Sequence, residues 1–210
     1  SFRNGMSLRY RFNMDVSSPS LSDLNDVEQT MDSWQIKRGN PFLKNSMGYS
    51  QSLMYSYHNK YVGLELIGAY TYADNPVYET IFVEGDKIVN TIENQKDWQR
   101  LQVQATLNIH PFGQYLYLQV RPRFSRYVMH GNTYTHTYNN WALYATMVAN
   151  YKRWFLNAQM ETRHNTLAGE TITYGQHFNL IGVGYNADKW NLSTGLMLPF
   201  SKNYSQATRN

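Results

Sequence analysis

Apolar and polar side chains alternate along most of this chain, and this alternation limits its fold more than any other feature. Residues 101–110 read LQVQATLNIH, so the apolar residues share one face and mainly polar ones the other. A period of two is typical of a β-strand with one apolar face. The pattern predicts about nine strands of roughly 8 to 14 residues, long enough to cross a bilayer when tilted. They fall at residues 7–14, 49–57, 64–72, 101–110, 116–125, 141–151, 154–163, 177–186 and 190–200.

Composition leaves a membrane location open. No run approaches the ~18 apolar residues of a membrane helix, but the average hydropathy of a transmembrane barrel conceals its lipid face, because apolar and polar residues alternate. Charged residues make up 16% of the chain, against about 25% in a typical soluble domain. The absence of cysteine excludes a disulfide scaffold and cysteine-ligated metal sites. The net charge of +4 is spread along the chain, so we expect no nucleic-acid partner.

The connections between the predicted strands alternate between short and long. In an up-and-down meander every second connection lies on the same side, so the pattern predicts one end of tight turns and one end of long loops, as in bacterial outer-membrane barrels. The tight turns are Asn59-Lys60, Pro111–Gly113, Asn150–Arg153 and Ala187–Lys189, and the long connections are Asp15–Ser46, Asp74–Asp97, Val128–Asn140 and His164–Gln176. The predicted fold is all-β, an antiparallel up-and-down transmembrane β-barrel wall of about nine or ten strands.

The long connections carry structure of their own. Val77–Glu84 and Lys87–Asn94 flank Gly85-Asp86 and predict a hairpin that prolongs two wall strands beyond the membrane. Within Ser20–Met31 the apolar residues have helical spacing, which is compatible with a short helix or with a solvated turn.

Aromatic residues cluster at the predicted strand ends, which favours two girdles at the two membrane interfaces. Those beside the tight turns are Tyr61, Phe112, Tyr151, Trp154 and Trp190, and those near the long loops are Tyr72, Trp98, Tyr127, Tyr138 and Trp141.

The first long connection contains a recognisable motif. Pro19 and Leu21 follow the first strand, and Gly39-Asn40-Pro41-Phe42-Leu43-Lys44 precedes the second. Here the chain resembles the C-terminal barrel of the TonB-dependent receptor family as found in Bacteroidetes, although Asn45-Ser46 replaces the Pro-Glu usual after the lysine. Physically, Gly39 and Asn40 permit positive φ and Pro41 fixes the next backbone torsion, which predicts a stiff turn.

The resemblance implies a function and a larger assembly. Receptors of this family enclose an N-terminal plug in a 22-stranded barrel, so we expect residues 1–210 to be a segment of a transmembrane barrel domain without its plug. An isolated wall segment would also leave two unpaired strand edges in lipid. The implied role is energy-coupled uptake of a bulky nutrient across the bacterial outer membrane. The implied partners are membrane lipid, the rest of the same receptor, a TonB-type energy-coupling complex acting through the plug, and a surface lipoprotein.

Candidate ligand contacts are aromatic and polar residues of the loops: Trp34, Tyr78, Trp98, Tyr134 and His136. Alternation also places charged residues on the lumenal face, where opposite charges would pair across the wall or line a solute path. These lumen-facing residues are Arg121, Arg123, Glu161 and Arg163.

Sequence motifs for catalysis or nucleotide binding are absent, so we expect no enzyme activity and no cofactor. His130 and His136 are close in sequence, but a metal site needs further ligands, and we expect none. Ser125 with His130, or Asp97 with His136, have no spacing that compels a catalytic role. Two alternatives remain at this stage: a complete outer-membrane barrel of eight to ten strands with a structural or adhesive role, and a soluble all-β domain that binds carbohydrate or peptide.

Overall fold

A computed structural model describes residues 5–198 and 208–209 of the chain. The strands are β1 Met6–Ser17, β2 Gln29–Thr30, β3 Gln35–Lys37, β4 Ser46–His58, β5 Val62–Asp74, β6 Val77–Glu84, β7 Lys87–Asn94, β8 Asp97–Ile109, β9 Leu116–His130, β10 Thr135–Tyr151, β11 Trp154–Glu161, β12 Thr166–Ala168, β13 Thr171–Thr173, β14 Phe178–Asn186, β15 Asn191–Met197 and β16 Thr208–Arg209. One α-helix, α1, spans Leu21–Leu24, and a 3-10 turn spans Gly113–Tyr115.

Nine of these strands form one antiparallel sheet, which we call the wall sheet. Its order is β1-β4-β5-β8-β9-β10-β11-β14-β15, so each wall strand pairs with the wall strands before and after it in the chain. This confirms the predicted up-and-down meander and the strand count. Within the described residues, β1 and β15 each pair on one side only, so the sheet is open. The predicted last strand reached Phe200, which lies outside the described residues.

The register gives the wall sheet two chemically different faces. One row of directly paired residues, which we call a rung, crosses six strands and is mainly apolar and mostly exposed. We call the side of the sheet that carries these side chains the outer face. That rung joins Tyr10, Leu53, Gly68, Val103, Phe124 and Trp141. The adjacent rung on the other side, the inner face, joins Arg11, Ser52, Ala69, Gln102, Ser125 and Asn140. Because side chains alternate along a strand, the sequence period sorts the residues onto these two faces.

Short turns connect the wall strands at one end, as predicted. At the first of them Asn59 Oδ1 accepts from the backbone N–H of Tyr61 at 2.8 Å and of Val62 at 2.9 Å. Lys152 has a φ of 55° and Gly113 a φ of 61°, which reverse the chain within a few residues. Within the described residues no helix is long and apolar enough to span a bilayer.

Two small sheets cover the long-loop end. One has the order β2-β3-β7-β6 and contains a parallel pair that places Ile36 opposite Val89. The hairpin β6–β7 has the predicted bounds and prolongs wall strands β5 and β8, as predicted. The pairing keeps one register from Asp74 opposite Asp97 to Val77 opposite Asn94. Beyond the wall, β7 also pairs with β3, which makes the hairpin part of this small sheet. The other small sheet is β12-β13-β16.

The helix predicted within Ser20–Met31 forms only one turn. Ser20 caps it, because its hydroxyl accepts from the Asp23 N–H at 3.3 Å while the Asp23 carboxylate accepts from the Ser20 N–H at 3.0 Å. These hydrogen bonds lower the pKa of Asp23. The following residues lead into β2, so the apolar residues after Leu24 lie outside the helix despite their helical spacing.

The buried apolar cluster lies where the loop end of wall strand β9 meets β12. Tyr127, Met129 and Leu167 are buried together, and partly buried aromatic residues pack around them. This corrects one predicted girdle, because Tyr127 is buried and Trp98 and Tyr138 pack against it. Elsewhere exposed aromatic residues do lie at strand ends, namely Tyr151, Trp154 and, just before β15, Trp190, whereas the exposed Trp141 lies within β10.

Candidate functional site: the inner face and the loop cavity

Towards the short-turn end of the wall sheet, the inner face presents amide and hydroxyl groups. Asn108 Oδ1 accepts from the Tyr117 hydroxyl at 2.9 Å and from Gln119 Nε2 at 2.7 Å. Gln119 lies opposite Thr146, which in turn lies opposite Gln159. A neutral hydrogen-bonding surface of this kind suits water and polar solutes, whereas the outer face offers apolar groups.

From the middle of β9 towards the loop end the inner face becomes positively charged. We call Arg100, Arg121, Arg123 and His164 the basic cluster. The Arg121 guanidinium lies 4.4 Å from the centroid of the Tyr144 ring, a cation–π contact. The Arg100 guanidinium lies 5.7 Å from the Trp98 ring centroid. These contacts fix two of the positive charges against aromatic side chains.

His164 lies in the connection after β11 and contacts Arg123 of the basic cluster directly. Arg123 Nη1 is 3.4 Å from His164 Nε2, and because a guanidinium can only donate, the imidazole nitrogen accepts. Burial is the main cause that lowers the pKa of His164, and the charges of Arg123 and Arg100 lower it further, while Glu161 acts in the opposite direction. The neutral ring is therefore favoured.

The four residues predicted to face the lumen do not all lie on the inner face of the wall sheet. Arg121 and Arg123 are on the inner face, and Glu161 shares a rung with Arg121 through Tyr144. Arg163 lies beyond the end of β11 and is exposed. The ion pairs between described residues involve none of these four, so charge pairing across the wall does not occur in this structure.

Three of the predicted ligand-binding residues meet in the loop core. Tyr78, Trp98 and Tyr134 pack against its buried residues, and Trp98 Nε1 donates to the carbonyl of Leu167 at 3.0 Å. Burial raises the pKa of both Tyr78 and Tyr134. These contacts give the three residues a packing role, and their contact with a ligand remains a prediction.

The other two predicted ligand-binding residues are more accessible. His136 is exposed and stacks on Tyr134 with ring centroids 4.8 Å apart. Trp34 is 66% exposed and lies in the first long loop, where its carbonyl accepts from the Ile88 N–H at 2.7 Å. The structure therefore places Trp34 beside the β6–β7 hairpin, whose first strand carries Tyr78.

The two histidines considered for a metal site have other partners. His130 Nδ1 is 2.8 Å from Asp97 Oδ1, and His136 stacks on Tyr134. Within the described residues no group of three or more His, Asp or Glu side chains is placed to hold a metal ion.

A polar cavity of about 410 Å³ between the first loop and the hairpin was not anticipated from the sequence. Its walls come from the first loop, β3 and β7. They include Asp23, Asn25, Lys37, Arg38, Glu79 and Asn90. Arg38 bridges two elements, with Nη2 3.2 Å from Glu84 and Nη1 3.7 Å from Glu28.

The Gly39-Asn40-Pro41 motif is the sequence signal nearest to this cavity, and the structure gives it a different role from the predicted one. Neither Gly39 nor Asn40 is among the residues with positive φ. Gly39 is needed because a Cβ there would collide with the backbone carbonyl oxygens of Asp23 and Asn25. The N–H of Gly39 donates to Asn25 O at 2.8 Å.

The same motif joins the first loop to the hairpin. Asn40 Nδ2 donates to the carbonyl of Ile92 at 3.1 Å. Asn94 Oδ1 accepts from the Lys44 N–H at 2.7 Å, and its Nδ2 group is 3.0 Å from the Lys44 carbonyl. The motif thus holds one wall of the cavity against the other.

Comparison with known proteins agrees with this architecture. The family model described as "Outer membrane protein beta-barrel family" matches residues 1–210. The crystal structure of the siderophore receptor PirA from Pseudomonas aeruginosa aligns with 97% of this chain at a TM-score of 0.71 and 13% identity, which supports the fold alone. The chain spans 38% of the length of that receptor chain. A search of curated protein sequences found no match.

Proposed function

Because this chain belongs to the outer membrane protein beta-barrel family, we propose that it forms part of the wall of a TonB-dependent receptor that imports a bulky nutrient. The family places the chain in the bacterial outer membrane, with lipid against its outer face. The soluble carbohydrate- or peptide-binding alternative is therefore wrong.

The observation that carries this proposal is the open, two-faced wall sheet that aligns with part of a receptor barrel. Within the described residues β1 and β15 each have one free edge. In a bilayer each unpaired backbone group costs several kcal/mol, so further strands must cover both edges. Since the aligned receptor is far longer than this chain, we assign those strands to the rest of the same polypeptide, in a barrel of about 22 strands with a plug inside.

In this proposal the wall performs no chemistry and needs no cofactor. The outer face holds the segment in lipid, and the inner face lines the route that opens when the plug moves. The loop cavity and the exposed Trp34 and His136 contact the nutrient first, while Tyr78, Trp98 and Tyr134 keep the loops in place. A TonB-type complex pulls on the plug, and a surface lipoprotein covers the loops.

The experiment that tests the proposal uses the full-length protein purified in detergent. It is passed over the immobilised periplasmic domain of the host's TonB-type protein. We expect saturable binding that disappears when the segment preceding the plug is deleted. Absence of binding, or binding that survives the deletion, would contradict energy coupling.

A second measurement separates the receptor from a complete small barrel. Residues 1–210 alone and the full-length protein are each refolded into vesicles and run on gels with and without heating. We expect heat-modifiable mobility, the sign of a closed barrel, only for the full-length protein. A heat-modifiable band for residues 1–210 alone would favour the small structural or adhesive barrel.

A further inference from the structure

The basic cluster contains buried donor groups that have no partner. Arg121 Nε, Arg123 Nε and Asn140 Nδ2 are inaccessible to solvent and form no hydrogen bond with the described residues, and the same is true of the Ser125 hydroxyl. Ser125 is 0% exposed and Asn140 is 5% exposed. A buried donor without a partner costs about 1–3 kcal/mol, so four such atoms in one place require an explanation.

These atoms belong to one patch of the inner face. Arg121, Arg123 and Ser125 follow each other at every second position of β9, about 7 Å apart along the strand. Asn140 lies directly opposite Ser125 in the register of β9 and β10. All four side chains therefore point to the same side of two paired strands.

The orientation of the Asn140 amide is fixed by its neighbour. Its Oδ1 accepts from the backbone N–H of Asn165 at 3.2 Å, which leaves Nδ2 as the unused donor. The guanidinium groups can only donate, and the hydroxyl of Ser125 can do so as well. The patch thus offers an excess of donors together with two positive charges.

No carboxylate of the described residues forms an ion pair with these guanidinium groups, although Glu161 acts electrostatically on His164. The four ion pairs of that part of the chain involve Arg38, His130 and Arg153, and none includes Arg100, Arg121 or Arg123. Contacts with Tyr144 and His164 hold the two β9 guanidinium groups without supplying a negative charge. Oxyanions such as carboxylates and phosphates satisfy charged donors of this type through short, charge-assisted hydrogen bonds.

We propose that the basic cluster, together with Ser125 and Asn140, binds a carboxylate or phosphate group of the solute that passes along the inner face. The inference rests on the proposed function, since it gives the transported solute an anionic group. The cluster lies on the inner face near the middle of the wall strands, with Arg123 opposite Gln104 of β8, so it would receive the anionic group after the solute leaves the loops. A neutral sugar would leave the same donors without a counter-charge.

The test measures binding of three probes to the full-length protein in detergent by isothermal titration calorimetry at low ionic strength. The probes are sodium citrate, inorganic phosphate and uncharged sucrose. We expect citrate and phosphate to bind and sucrose not to bind. Because surface charge attraction weakens with salt, the affinity should also fall as sodium chloride is added.

Two double variants separate this site from general positive charge. Arg121→Gln with Arg123→Gln should weaken anion binding by at least about tenfold. The matched control is Arg9→Gln with Arg11→Gln, which removes the same charge at the same spacing from the inner face of β1, where both side chains are exposed. It should leave binding within about twofold. Ser125→Ala, a smaller change, should weaken binding severalfold if the first double variant fails to fold.

Three results would overturn the proposal. One is the absence of heat with either anion in the wild-type protein, and another is equal weakening by both double variants. The third is a melting temperature lowered only by the Arg121 and Arg123 changes, without any anion binding in the wild type. That result would assign the cluster to a carboxylate of the same polypeptide. Binding of the TonB-type domain is measured separately, so failure of energy coupling and failure of the anion site are distinguishable.

Discussion

A single arginine on the outer face tests whether that face meets lipid. Val103 is 52% exposed and lies between Gly68 and Phe124 on neighbouring strands. It stands in the middle of β8, six positions from Asp97 and six from Ile109. Replacing it by arginine would bring a charge into the centre of the apolar band.

The position of Val103 sets the expected magnitude. Six residues at about 3.4 Å each span ~20 Å along the strand, which a tilt of about 45° converts to ~14 Å along the membrane normal. This is close to half of an apolar band about 25 Å tall. An arginine at the midplane of a transmembrane barrel costs about 2–4 kcal/mol, so Val103→Arg should lower the free energy of unfolding by that amount.

The assay is guanidinium unfolding of the full-length protein in phospholipid vesicles, followed by tryptophan fluorescence. The matched control is Ala69→Arg. Ala69 lies one residue from Gly68 and opposite Gln102, so it has nearly the same depth as Val103 but lies on the inner face between neutral neighbours. In a lumen with water the control should cost less than about 1 kcal/mol.

The comparison of the two variants can refute the assignment of the faces. If Val103→Arg changes the free energy of unfolding by less than about 1 kcal/mol, the outer face does not meet lipid at this depth. If Ala69→Arg costs as much as Val103→Arg, the alternation does not separate lipid from water, and the wall interpretation fails.

Further predictions concern the loops. Gly39→Ala should destabilise the first loop by about 1–3 kcal/mol through overpacking against two backbone carbonyls, measured as faster cleavage of the loop by protease. Trp98→Phe should cost about 1 kcal/mol through loss of the hydrogen bond to Leu167, measured by the same denaturant titration. Burial, and after it the charge of Arg123, lowers the pKa of His164 in the folded protein. The contribution of the neutral imidazole to folding stability is therefore present above its ordinary pKa of about 6.5. That contribution is lost as the pH falls through the lowered pKa. Proteolysis of its loop should accelerate as the pH falls from about 6.5 towards the lowered pKa, and His164→Gln should remove this pH dependence.

Each of these loop predictions has a control. Gly68→Ala should be tolerated, because a Cβ there has nothing within 4 Å. Trp34→Phe should leave stability unchanged, since that side chain is largely exposed. His136→Gln should leave the pH dependence as in the wild type. Equal effects of a variant and its control would contradict the contact on which that prediction rests.

Local pattern was sufficient to predict the wall strands and one hairpin of this fold, but not the short strands β2, β3, β12 and β13. The nine wall strands follow from period-two alternation, and the bounds of the β6–β7 hairpin follow from Gly85-Asp86 between two strand-forming runs. By contrast, the helical spacing within Ser20–Met31 gave only one turn. A few apolar residues in a loop do not fix a helix, because its stability comes mostly from tertiary packing.

The candidate site was predictable only in part. Alternation placed Arg121 and Arg123 on the inner face, but it could not show that they form no ion pair with any described residue. The loop cavity depends on the parallel pairing of β3 with β7, whose residues Ile36 and Val89 are far apart in sequence. Gly39 was recognised as necessary for the wrong reason, since the carbonyls that exclude a Cβ come from the other side of the loop.

The sequence by itself determined that this chain has two faces and two ends. The alternation assigns each side chain to lipid or lumen, and the alternating connection lengths separate turns from loops, because both properties are local. Only the tertiary structure decided which loops touch, that Tyr78, Trp98 and Tyr134 pack against one buried cluster, and that the guanidinium groups of β9 form no ion pair with the described residues. These properties depend on distances between residues remote in sequence, and such distances are set by strand register and loop packing.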